Sequence, residues 1–149
     1  MRVVEAAARA LGLQVQTLRA STAREIDTGF TALREGPEQP DALFISSEGF
    51  FVTRRVQLAI LAAQRSIPAA YSNREQAEAG GLMSYGTNSG DTWRQLGAYV
   101  GRILKGAKPA DLPVEKASQY QLTINLKTAK GLGIALPPEL LARADEVIE

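Results

Sequence analysis

Short apolar runs of strand length alternate with amphipathic helical stretches along most of this 149-residue chain. That alternation constrains the fold more than any other feature. Ala42-Leu43-Phe44-Ile45 is a continuous apolar run, as expected of a strand buried on both faces. Leu13, Val15 and Leu18 alternate with polar residues and read as a strand before it. Ile67 to Tyr71 reads as a third strand, with Pro68 near its start, where a missing N–H is tolerable. Leu82 to Tyr85 reads as a fourth, and the alternating Tyr120, Leu122 and Ile124 as a fifth.

Helices fill the gaps. Val4, Ala7, Ala8 and Leu11 recur at helical spacing, and Gly12 is a natural stop. Thr22 and Glu25 have the spacing of a capping box, followed by the face Ile26, Phe30 and Leu33, and Gly36-Pro37 ends that helix. Val52, Val56, Ile60 and Leu61 mark the next helix, with Arg54 and Arg55 on its polar side. Residues 73–79 form a short helix ended by Gly80-Gly81. Asp91 can cap a helix from Thr92 to Lys105 whose face is Leu96, Val100, Ile103 and Leu104, with Gly106 as its stop. A polar, proline-bearing connector covers residues 107–118. Asn125 caps a helix to Leu132, and Pro138 opens the last one. Strands alternating with helices imply right-handed crossovers, hence an α/β fold with a mostly parallel sheet, and the length suits one domain.

Composition removes several kinds of chemistry. With no Cys and no His, disulfides, Cys/His zinc sites, Ser-His-Asp triads and thiol nucleophiles are excluded. Seventeen basic against sixteen acidic residues leave a net charge of +1, with no footprint for nucleic acid or an anionic membrane. The glycines form neither a P-loop nor a dinucleotide fingerprint, so no cofactor is implied. Glu5 and Arg9 interrupt the first apolar stretch, so no export signal is visible, and no run reaches transmembrane length.

In an open parallel α/β sheet, ligands sit beyond the carboxyl ends of the strands. That rule selects the turn after Leu18 and the loops 46–51, 71–75 and 85–91. The first of these loops carries Ser46, Ser47, Glu48, Phe50 and Phe51. A carboxylate can pair with a ligand ammonium, hydroxyls and a helix N-terminus can hold a ligand carboxylate, and aromatic rings form an apolar wall. The alternative is that Ser47 and Glu48 merely cap the next helix and a Phe is core. Ser72, Asn73, Arg74 and Glu75 follow the third strand, as ligand contacts or as a cap with solvated charges. Tyr85, Gly86, Thr87 and Asn88 form a donor-bearing loop or a simple turn. Trp93 suits burial or interface packing. Gly97 and Gly101 are either a close-packing pair or merely tolerated.

The closing motifs are the most distinctive: Gly80-Gly81-Leu82-Met83-Ser84-Tyr85-Gly86, Ala107-Lys108-Pro109-Ala110-Asp111-Leu112-Pro113-Val114, residues 124–134, and the run from Pro137 to Glu149. Together they resemble the C-terminal lobe of the ABC transporter substrate-binding family, which includes aromatic amino-acid binders. The resemblance implies a Rossmann-like three-layer lobe of a type I periplasmic binding protein, with ligand held between two lobes. It implies a solute-binding, non-enzymatic component of an ABC importer, a permease partner and a periplasmic location. It places Ser47, Glu48, Phe50, Phe51, Ser72, Asn73, Glu75, Tyr85 and Asn88 at cleft-facing positions.

Against that pattern, residues 1–149 match one lobe without the N-terminal lobe and without the lobe's own first strand. A chain expressed in this form, lacking an export signal, would be cytoplasmic. Strands flanking a missing strand would leave backbone groups unpaired, and the helix from Thr92 would lack its packing partner. A homodimer or larger assembly burying these surfaces is therefore expected. Two other readings stay open: a truncated product that folds and associates without transport, and an enzyme on a flavodoxin-like fold.

Overall fold

A computed structural model describes residues 2–35, 39–114 and 119–149. The elements run α1 (Arg2–Ala10), α2 (Ala23–Glu35), β1 (Leu43–Ile45), α3 (Gly49–Thr53), α4 (Arg55–Gln64), β2 (Ala69–Tyr71) and α5 (Arg74–Glu78). They continue β3 (Met83–Thr87), α6 (Ser89–Leu104), β4 (Tyr120–Asn125), α7 (Leu126–Gly131), α8 (Pro138–Ala142) and β5 (Glu146–Ile148). A short 3-10 turn, Pro109–Asp111, lies in the connector. The five strands line up as β1-β2-β3-β4-β5, with β3 and β4 antiparallel and the other neighbours parallel. The expected α/β architecture with a mostly parallel sheet is thus the observed one.

Residues paired across a sheet share a face. Ile45, Tyr71, Ser84 and Thr123 therefore form one row, and all four are buried. Ile26 and Phe30 of α2 and Leu58 and Ala62 of α4 join Ile45, Ala69 and Tyr71 in a single apolar core. The capping box opens α2 as its spacing predicts. The Glu25 N–H donates to Thr22 Oγ1 at 3.2 Å, and the Thr22 N–H donates back to Glu25 Oε2 at 3.2 Å. The Ser21 N–H adds a bond to the same carboxylate at 2.7 Å, and these bonds hold the Glu25 carboxyl below its ordinary range. Gly36-Pro37, read as the stop of this helix, lies outside the described residues.

Five details differ from the sequence reading, the first being that Tyr85, Gly86 and Thr87, read as a loop or turn, belong to β3 and pair with Leu122, Gln121 and Tyr120. Residues 13–18 form no strand. A strand requires a neighbour to complete its ladder, and no described strand lies beside this segment; its first N–H instead closes α1 on the Ala8 carbonyl at 2.9 Å. The stretch after β1 is two helices broken at Arg54, and the sheet-facing side of α4 is Leu58, Ala59 and Ala62. Val56 and Ile60 fall on the opposite side of this helix and stay exposed. The cap of α6 is Asn88 rather than Asp91: Asn88 Oδ1 accepts from the Gly90 N–H at 2.8 Å and the Asp91 N–H at 3.3 Å. Finally, β5 adds an edge strand that three residues of apolar pattern did not announce.

An arginine clamp holds that edge. Arg74 donates from Nε and Nη2 to the two Glu146 carboxylate oxygens, each at 2.5 Å, and from Nη1 to Glu78 Oε1 at 2.5 Å. Arg74, which could have faced a ligand, is thereby engaged in structure. The guanidinium holds the Glu146 carboxyl below its ordinary range. The side chains are 44% and 38% exposed, so an Arg74→Ala/Glu146→Ala double-mutant cycle in urea should give a coupling of about 0.5–1 kcal/mol. A group whose folded pKa is lowered stabilises above its unfolded pKa. The coupling should therefore be full at neutral pH and vanish as pH falls through the lowered Glu146 value. A coupling that persists in acid would exclude the ion pair as its source.

Candidate functional site

Because β1, β2 and β3 are parallel neighbours, their carboxyl ends lie on one edge of the sheet. The loops beginning at Ser46, Ser72 and Asn88 therefore converge there. β4 runs the opposite way, so its first residues reach the same edge, with Tyr120 directly opposite Thr87. This topology gathers Ser47, Glu48, Ser72, Asn73 and Asn88 along one rim.

The loop after β2 lies close against β3 at Gly86. A β-carbon there would stand 1.7 Å from the Ser72 carbonyl oxygen. Only a residue without a side chain lets the β2 exit loop lie against β3.

Glu48 does not cap α3 through its side chain; the helix takes its first bonds from the Glu48 main-chain carbonyl. The carboxylate is exposed and accepts a hydrogen bond from Ser46 Oγ. That bond is the largest cause holding the Glu48 carboxyl below its ordinary range, with a bond from its own N–H second. At neutral pH Glu48 is therefore a fixed anion at the rim, suited to an ammonium group. Ser47 is exposed beside it.

Phe50 and Phe51 are half-buried and pack in part against the core, with ring centroids 5.4 Å apart. The Arg54 guanidinium lies over Phe50 at 5.9 Å. These rings join the rim to the core, and only part of their surface can serve as a wall. The Asn73 side chain makes no capping bond to α5, and Glu75 is half-buried in the first turn of that helix. Asn88 is occupied at its carbonyl oxygen by capping α6. Tyr85 is exposed and stacks on Tyr120, at 5.6 Å and 22° between ring planes.

At the rim's far end lies an open depression of about 320 Å³, lined by Thr87, Asn88, Asp91, Thr92, Arg94, Gln95 and Gln119. Arg94 and Asp91 pair within it. Of these residues the sequence pointed only to Asn88 and the loop around it. Gln119 and Tyr120 sit more than thirty positions from β3, and only the antiparallel β3–β4 pairing brings them to Thr87. No local signal announces such a neighbour.

A five-stranded α/β sheet with polar residues gathered at the ends of its parallel strands is the arrangement of a lobe of the periplasmic-binding-protein class, and comparison with known proteins assigns the chain to that class. Residues 1–148 match the family of ABC transporter substrate binding proteins, and the chain belongs to that family. It is similar to a solved structure of the ABC domain in complex with L-Trp from Streptococcus pneumonia. The TM-score is 0.88 and the identity 29%, over 99% of this chain and 50% of that one. A conserved domain protein from Vibrio cholerae shares the fold at TM-score 0.89 and 24% identity, over 99% and 49% of the two chains. So does a substrate-binding protein with adhesive properties from Clostridium difficile, in its ligand-free, open form, at 0.68 and 20%, over 99% and 48%. The chain spans about half the length of each of these structures. No curated protein matches it significantly.

Proposed function

We propose that this chain binds a small solute carrying an ammonium group, such as an amino acid, at the strand-end rim, without chemistry. In this reading it is the recognition component of an ABC-type importer, with a permease as protein partner and a periplasmic place of work. One observation carries it: the exits of β1, β2 and β3 share an edge on which Glu48 is an exposed anion whose carboxylate makes no capping bond to the helix it opens. The bound L-Trp in the structure of 29% identity supports the choice of ligand class. Ser47 and Ser72 would serve the ligand carboxylate. Asn73 and Glu75 would serve polar groups at the β2 exit, Tyr85 and Asn88 would close the far side, and Phe50 with Phe51 would back the side chain. A second copy of the chain is the further partner we infer.

Because the chain spans half the length of those structures, its own contacts form part of an enclosure, and binding should be weak. Calorimetric titration with a panel of amino acids, aromatic ones included, tests the reading. Binding of at least one member is expected, and silence across the panel would overturn it. Glu48→Ala should weaken that binding about tenfold or more, the cost of one lost charged hydrogen bond. Unchanged affinity would remove Glu48 from the site.

A further inference from the structure

Two side chains in the interior carry polar atoms that no protein group satisfies. Gln76 is 0% exposed and Tyr71 is 1% exposed. Among the described residues, the Gln76 amide nitrogen, the Gln76 amide oxygen and the Tyr71 hydroxyl all lack a hydrogen-bond partner. Folded proteins pair nearly all such atoms, either with protein groups or with ordered water. A Leu or Met at position 76 would fill a similar volume without that burden.

The two residues meet beneath α5. Tyr71 ends β2, and Gln76 lies in the middle of α5, which packs across β2, β3 and β4. A β-carbon on Gly81 would stand 2.3 Å from Tyr71 Cε2 and 2.8 Å from the Gln76 carbonyl oxygen. The ring edge next to the Tyr71 hydroxyl and the Gln76 backbone therefore flank one point. Ser84 and Thr123 are buried in the same row as Tyr71 and add hydroxyl groups to that face. Asn125, two residues on from Thr123 and so on the same face, bonds the Ala77 carbonyl of α5. The contact between α5 and the sheet is thus a polar layer.

We propose that this layer encloses an ordered water molecule that joins the Tyr71 hydroxyl to the Gln76 amide. The chemistry of the unpaired atoms selects water. They comprise a donor, an acceptor and a hydroxyl that does both, and a buried water makes about three such bonds. Burial pushes the Tyr71 hydroxyl up to about 12, so at neutral pH it is an uncharged donor. Uncharged partners give a bound ion no counter-charge, and groups buried this deeply are out of reach of an organic solute. The water would tie α5 to the end of β2, just before Ser72. Strands and helices of this chain already enclose the layer, so the inference depends neither on an open surface nor on the solute-binding reading.

A high-resolution crystal structure of the 149-residue chain tests it. A density peak within hydrogen-bonding distance of both Tyr71 Oη and a Gln76 amide atom is expected. A dry interface, or a direct bond between the two side chains, would overturn the proposal. Urea melts of Tyr71→Phe, Gln76→Met and the double variant give a second reading. Gln76→Met should lower the midpoint, and by less in the Tyr71→Phe background, where the water has already lost one partner. Strict additivity overturns the proposal. So does a Gln76→Met midpoint above that of wild type, because relief of an unpaired buried amide stabilises. If a variant fails to fold, the wild-type density decides.

Discussion

Gly86→Ala is expected to be among the most destabilising single-methyl substitutions in this chain, at about 3 kcal/mol. The added carbon would lie 1.7 Å from the Ser72 carbonyl oxygen and 2.9 Å from its carbon. Both are backbone atoms, so no side-chain rotation relieves the collision. The β2 exit loop would have to lift from β3, which separates Ser72 and Asn73 from Asn88 and opens the rim. The urea midpoint should fall with the slope unchanged, and solute binding should be lost even where the variant remains folded. Gly101→Ala is the contrast: its β-carbon meets nothing within 4 Å, and helix propensity alone should raise stability by about 0.5–1 kcal/mol. If the two substitutions behave alike, the close approach at Gly86 is not a constraint.

Asn125→Ala is expected to cost about 2–4 kcal/mol, because one side chain serves two elements. Asn125 is 5% exposed at the end of β4. Its Oδ1 accepts from the Thr128 N–H at 2.9 Å, capping α7, and its Nδ2 donates to the Ala77 carbonyl of α5 at 3.0 Å. Alanine leaves a helix N–H without its partner and removes one of the two bonds accepted by the Ala77 carbonyl, which keeps the Gly80 N–H at 3.1 Å. Asn125→Asp separates the roles. An ionised carboxylate keeps the cap but turns an acceptor toward the Ala77 carbonyl, whereas a protonated acid can donate to it. Burial beside a carbonyl favours the protonated form in the folded state. Stability of this variant should therefore rise as pH falls, relative to wild type, in urea melts across the acid range. A pH-independent loss would mean that the Ala77 bond contributes nothing.

The two residues also mark how far the sequence was legible. The capping role of Asn125 could be read locally, because a cap and its N–H partner lie three residues apart. The bond to Ala77 spans forty-eight positions and follows from the packing of α5 beside β4. Gly80-Gly81 was legible as a helix stop, and Gly80 has the positive φ of 110° that a stop requires. That Gly81 also leaves room for the Tyr71 ring, 2.3 Å from where a β-carbon would stand, was not. The strand-end loops could be chosen in advance because the rule that places ligands beyond the carboxyl ends of parallel strands needs only the order of elements. Which side chains there are free was decided elsewhere: Asn88 is engaged by its helix, Phe50 and Phe51 partly by the core, and Arg74 by an edge strand that the pattern did not reveal.

The sequence by itself determined the alternation of strands and helices, the capping box at Thr22 and Glu25, the exclusion of thiol and imidazole chemistry, and the resemblance to a binding-protein lobe. Each of these depends on residues within a few positions of one another, or on their absence. Tertiary structure alone decided that residues 13–18 find no strand partner among the described residues, that α4 presents Leu58, Ala59 and Ala62 to the core, and that Gln119 and Tyr120 reach the rim beside Thr87. Each of those depends on a neighbour distant in the chain. Periodicity shows that a helix has an apolar face, as on α6, but only the folded chain shows whether that face is covered.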